Sequence, residues 1–193
     1  MARGTMEIRR YGVDGMAILD IVLEGDPVLR KKAVKVPRAD DGIRKLAANM
    51  YETMLEAPGV GLAAPQIGKS IRLIVVHVPE DEDDETPEVS LKLLNPEIIK
   101  AFGTQVGAEG CLSIPGWAGN VERAMNITVK ATDMNDKPVR IRAQGYLAVV
   151  LQHEIDHLDG ILFPDRIENT KEDLWPVRES EEELVEDEGI PVA

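Results

Sequence analysis

With 193 residues, 44% of them hydrophobic, the chain is long enough to enclose one sizeable core, and one domain is the natural expectation. No run of about 18 apolar residues offers a membrane span, the N-terminus lacks the basic-then-apolar pattern of a secretory signal, and a lone cysteine cannot form an internal disulfide. A reducing, cytoplasmic setting without a membrane partner is therefore expected. The net charge of −13 is concentrated in residues 80–88 and 179–188, which carry seven acids each and no Lys or Arg; the rest holds 21 acids against 22 bases, with no basic stripe along the sequence and hence no expectation of direct nucleic-acid binding.

In chain order, residues 1–15 read as a flexible N-terminal extension, 16–168 as the globular body and 169–193 as an acidic C-terminal tail. Asp26-Pro27 has the form of an N-cap followed by a first-turn proline, opening a short helical segment through Lys32. From Asp41, Ile43, Leu46, Ala47, Met50 and Met54 recur at helical spacing until Pro58-Gly59 stops the helix. Gly68-Lys69-Ser70 mimics the end of a phosphate-binding loop, but the stretch follows a helix and opens a strand, and Pro65 lacks the N–H that would cradle a phosphate. Leu62-Ala63-Ala64 is too apolar for a plain connector. A close-packed loop bordering a site fits better, with Gln66 offering an amide to a substrate oxygen.

Arg72–Val78 reads as a strand, and Leu91–Leu94 and Glu97–Lys100 as two further short ones. Met125, Ile127, Val129 and Ala131 alternate with polar neighbours, and Asn135-Asp136 turns the chain into Val139, Ile141 and Ala143, an antiparallel hairpin. A helix over Gly145–Leu158 follows, with Gly160 as its C-terminal cap. Leu147, Leu151, Ile155 and Leu158 cluster on one face, and only Gln152, Asp156 and Asp159 form a polar strip, so this helix is expected to be largely buried. The order of elements predicts an α+β fold, with antiparallel sheets packed around a central metal-binding helix.

That last expectation rests on His153-Glu154-Ile155-Asp156-His157. Two imidazoles four residues apart on a helix point the same way and can hold one metal ion, with Glu154 beside it to take a proton from a bound water. An ordinary amphipathic helix is the bland alternative, but two of only three histidines fall here. A catalytic site needs a third ligand. One class of zinc protease places a histidine where this chain has Phe163, and another uses a downstream glutamate, for which Glu168 and Glu172 are available in a charged stretch. Cys111, in Glu109-Gly110-Cys111-Leu112-Ser113, is the favoured candidate, since a thiolate with two imidazoles suits a borderline-soft divalent ion and leaves one position for water. A closed structural site would need a fourth ligand, and His77, in a β-rich run, is the only spare imidazole.

Gly59-Val60-Gly61-Leu62-Ala63-Ala64-Pro65-Gln66, Glu109-Gly110-Cys111-Leu112-Ser113 and Gln152-His153-Glu154-Ile155-Asp156-His157-Leu158-Asp159-Gly160 together resemble the three signature motifs of peptide deformylase, in family order. The similarity runs from about Leu19 to about Ile167. It implies removal of the formyl group from the N-terminal formyl-methionine of newly synthesised polypeptides, releasing formate. Cys111, His153 and His157 match the family's metal ligands, Glu154 its general base and acid, and Gln66 with the Leu112 N–H the groups that hold the developing oxyanion. Val60, Gly61, Gly110, Val149 and Val150 match its methionine pocket, although on the helical wheel alone the two valines read equally as core. The family implies one divalent ion, generally iron(II), with zinc, nickel or cobalt also accepted. It also implies transient ribosome association, which some members achieve through a basic C-terminal helix; the acidic Glu179–Glu188 argues against that mode here. Gly116-Trp117-Ala118 departs from relatives that carry Glu and Arg there, and Glu109 is positioned to pair with Arg123 and brace the cysteine loop. A zinc metallopeptidase built on the same helix motif is the alternative reading.

Overall fold

The computed structural model describes residues 17–80 and 87–177; the expected extension over 1–15, most of the acidic stretch 80–88 and the acidic run 179–188 lie outside the described residues. The segment after Asp26 is a single 3-10 turn, Pro27–Arg30, with the Asp26 carboxylate accepting from Val28 N–H, and it ends two residues earlier than the sequence suggests. Helix α1 (Asp41–Glu56) starts where expected, capped by Asp40 through Ile43 N–H. Its face of Ala47, Met50 and Met54 is fully buried against Leu62, Leu73, Val75 and Leu94.

After α1 the chain forms β1 (Gly61–Ala63), a 3-10 turn over Ala64–Ile67 and β2 (Leu73–Val78), and every residue from Gly61 to Ile67 is buried. Strands β3 (Val89–Cys111), β4 (Ile114–Thr132) and β5 (Pro138–Gln144) complete an antiparallel sheet in the order β1-β2-β3-β4-β5. Thr170–Asp173 makes one helical turn, and β6 (Leu174–Pro176) pairs with β4 at Trp117–Gly119.

The two short strands expected over Leu91–Leu94 and Glu97–Lys100 are parts of the single strand β3. The register shifts between Leu94 and Glu97 and again between Ile98 and Lys100, with Asn95 at φ 52. Pro96 cannot donate a ladder hydrogen bond, so the strand bulges and bends there without ending. The predicted hairpin is present, with Ile127 opposite Ala143, Val129 opposite Ile141 and Asp136 at φ 60 in the turn.

Helix α2 (Gly145–Asp159) ends at Gly160, whose φ of 77 and closeness to the Arg30 carbonyl require glycine: an added Cβ would lie 2.7 Å from that oxygen. Leu151, Ile155 and Leu158 pack against Ile74, Val76, Ile127 and Val129, which makes α2 the central element of the main core. The strip read as polar does not all face water. Gln152 exchanges hydrogen bonds with the backbone of Ala124, and Asp156 accepts from Arg123 and Arg166, so both are buried. Periodicity marks a strip as polar; whether water or a buried partner satisfies it is decided by the strand opposite.

Candidate metal centre and active site

The end of β3 and the middle of α2 meet at one point. Cys111 Sγ lies 3.2 Å from His157 Nε2, the His153 and His157 rings are 4.9 Å apart, and one ligand atom from each of Cys111, His153 and His157 falls within 4.8 Å of the others. Among the described residues no other group of three His, Cys, Asp or Glu side chains converges in this way.

Strand alternation puts Glu109 on the same side of β3 as Cys111. Its carboxylate accepts from His153 Nδ1 at 2.8 Å, which fixes the ring tautomer and turns Nε2 towards the cysteine. The same carboxylate receives the Arg123 fork at 2.7 and 2.9 Å, as the sequence suggested, and Arg123 also reaches Asp156 on α2. Burial opposes ionisation of Glu109, but Arg123 and His153 overcome it and hold its pKa at about 2. Arg123→Met would strip the buried Glu109 of its guanidinium partner and leave Asp156 with Arg166 alone. An expected loss of about 3–5 kcal/mol of unfolding free energy follows, readable by denaturant titration.

The donor set suits a cation. Burial alone would keep His153 neutral, yet hydrogen bonds to Cys111 and Glu109, with the charge of Glu154, raise its pKa to about 10; burial and the His153 charge drive His157 the other way, well below its ordinary value. The pocket draws positive charge to itself, and a divalent ion would supply it while both imidazoles stay neutral. His157 Nδ1 and Glu154 Oε2 are buried without a hydrogen-bond partner.

Glu154, one residue after His153, is 4% exposed, and burial raises its pKa to about 7. Gly61 in β1 backs it directly. A Cβ on Gly61 would lie 2.7 Å from Glu154 Cδ and 2.8 Å from Cγ. Gln66 is held from both ends: its Oε1 accepts from Ala63 N–H at 2.8 Å, and its Nε2 donates to Ser113 Oγ at 3.3 Å and faces Cys111 Sγ at 3.5 Å. Leu112 occupies the tight turn that joins Cys111 to Ile114 across β3 and β4.

A cavity of about 430 Å³ opens onto these groups, and Val60, Gly61, Gly110, Val149 and Val150 all line it. Val150 is core and wall at once, buried in the main cluster while bordering the cavity. Trp117, Tyr146 and Val177 bring exposed apolar surface to the same cavity from β4, α2 and the residue after β6; Trp117 belongs to the Gly116-Trp117-Ala118 stretch singled out in the sequence.

The alternative ligands lie elsewhere. Phe163 is 1% exposed and stacks on His153 with ring centroids 6.4 Å apart, so the position of a third protease histidine is filled by an aromatic support. Glu168 and Glu172 are exposed. His77 bonds Tyr51 at 3.0 Å in a separate cluster on β2.

The family model for polypeptide deformylase matches residues 18–173. The chain belongs to the peptide deformylase family. It is 53% identical to a peptide deformylase of Thermomicrobium roseum over 172 residues, covering 89% of this chain and 97% of that protein, and 53% identical to one of Symbiobacterium thermophilum over 177 residues, covering 92% and 77%. Among solved structures it is similar to the Met-Ala-Ser-bound class I type b peptide deformylase of Acinetobacter baumannii (38% identity, TM-score 0.73, 78% of this chain and 98% of that one). A deformylase of Synechococcus elongatus in complex with actinonin gives 40% identity and a TM-score of 0.74, covering 89% and 90%. Deformylases are metal-dependent hydrolases that remove the N-formyl group from N-terminal methionine, and the zinc metallopeptidase alternative finds no support in these matches.

Three features of this deformylase site escape sequence reasoning: the Glu109–His153 bond, the Asp156–Arg166 pair and the glycine behind Glu154. The first had a signal in the two-residue spacing of Glu109 and Cys111 on a strand. The other two arise where α2 meets separate segments: no local pattern pairs Asp156 with Arg166, and the motif that holds Gly61 marks it as pocket wall, not as the neighbour of Glu154.

Proposed function

We propose that Cys111, His153 and His157 hold the divalent ion of a deformylase, and that Glu154, Gln66 and the Leu112 N–H perform the proton transfer and oxyanion binding. The convergence of one sulfur and two ring nitrogens from distant segments carries this reading. Held there, the ion supplies Lewis acidity, acidifying a water and polarising the formyl oxygen. Glu154 takes the water's proton as oxygen bonds to the formyl carbon, then gives a proton to the amine nitrogen as the C–N bond breaks, so formate and a free N-terminus leave. The Gln66 amide, oriented by Ala63 and Ser113, donates to the charge that gathers on the formyl oxygen, together with the Leu112 N–H. Val60, Gly61, Gly110, Val149 and Val150 receive the methionine side chain, whose unbranched thioether suits an apolar wall.

Iron(II) is the proposed native ion, carried over from the family; zinc, nickel and cobalt are compatible with the same thiolate and imidazole donors. The partners are N-formylmethionyl nascent peptides met in the cytoplasm during transient ribosome association. Formate should be released from formyl-Met peptides while internal peptide bonds stay intact, as followed by mass spectrometry of the products. Internal cleavage without formate release would reverse the assignment.

A further inference from the structure

The register of β3, β4 and β5 assembles a surface that no stretch of sequence displays. Ile127, Val129 and Ala143 point into the core shared with α2, so their alternating neighbours Thr128, Lys130, Arg140 and Arg142 project from the opposite side of the sheet. Pairing then sets Lys100, Thr128 and Arg142 in one cross-strand row, with Glu97, Lys130 and Arg140 on one side of it and Phe102, Asn126 and Gln144 on the other. Glu97 occupies Lys130 at 3.0 Å. Among the described residues no carboxylate lies within 4.0 Å of Lys100, Arg140 or Arg142, and these three line one groove with Ile99 and Thr128. Phe102, one row beyond Lys100 and outside that groove, is 64% exposed.

Three uncompensated cations, two side-chain amides and a bare aromatic ring on an open antiparallel face provide what a single nucleic-acid strand requires. Cations meet phosphates, the ring stacks a base, and amides reach base edges. We propose that this face binds single-stranded RNA. The sequence argued against nucleic-acid binding because its bases are scattered; β register gathers them. A membrane surface fits less well, since Phe102 shares its cross-strand row with the amides of Asn126 and Gln144 and the groove beside it is lined mainly by cations. The negative charge carried elsewhere in the chain opposes approach, so binding is weak and steeply salt-dependent. The proposal is independent of the metal-site reading, because the face lies across the sheet from α2.

Fluorescence anisotropy of a labelled oligouridylate with the full chain at low salt tests it. Saturable binding is expected, about 10-fold weaker in Phe102→Ala and at least as much weaker in Lys100→Glu/Arg142→Glu, whose log affinity against log salt should be shallower by about 1.4 for two lost phosphate contacts. Circular dichroism and formate release stay at wild-type levels in both variants. Absence of binding at about 50 mM salt, or binding that neither variant changes, overturns the proposal. Binding to phosphatidylglycerol vesicles but not to RNA also overturns it and assigns the face to a membrane.

Discussion

Glu154→Gln is expected to lower formate release by about 10²–10⁴-fold while leaving the fold and metal content intact. The substitution keeps size and hydrogen-bonding capacity but removes the group proposed to accept and return the proton. Glu154 is no ligand in the proposed set, so the ion should remain bound to Cys111, His153 and His157. Its surroundings sharpen the expectation. The carboxylate is 4% exposed, and its Oε2 has no hydrogen-bond partner, so no neighbouring group stands ready to replace it. Metal analysis and formate release on the same preparation check the outcome; activity within a few-fold of wild type would remove Glu154 from its role.

Gly61→Ala should lower activity by about 10²-fold through displacement of Glu154. The added methyl would sit 2.7 Å from Glu154 Cδ, well inside contact distance, and Glu154 is itself buried on α2. Gly61 lies in β1, paired with Val76 of β2, so the strand itself is poorly placed to retreat. Its proposed role therefore differs from simple pocket lining: the missing side chain makes room for the proton carrier. Expected is a fall in kcat larger than any rise in KM, with metal content unchanged. An unchanged kcat would mean that β1 shifts without cost and that the closeness of Gly61 has no part in positioning Glu154.

Much of the candidate site was legible in the sequence because the side chains that converge there are of scarce types. Two of three histidines at four-residue spacing, and one cysteine after a glycine, can be counted without coordinates. Helix limits at Asp41 and Gly160 and the β4–β5 hairpin were legible for a similar reason, since caps and turns leave local marks. Less legible was whatever depends on what lies across a gap. The union of two short strands into β3 hinges on a bulge at Asn95-Pro96, the burial of Asp156 on Arg123 and Arg166, and the basic outer face on the pairing of Lys100, Thr128 and Arg142. Each is a long-range match between segments that look unremarkable alone.

The central claim, that one sulfur and two imidazoles hold the ion that makes this chain a deformylase, is tested most directly by metal-titrated formate release. Chelator-treated protein, handled anaerobically, receives increasing iron(II), and formate freed from a formyl-Met peptide is measured for wild type and Cys111→Ser. Wild-type activity is expected to return and saturate near one equivalent, with less than about a tenth of it restored in the variant. Full recovery of Cys111→Ser at the same equivalence, or activity in the wild type indifferent to added metal, would contradict it.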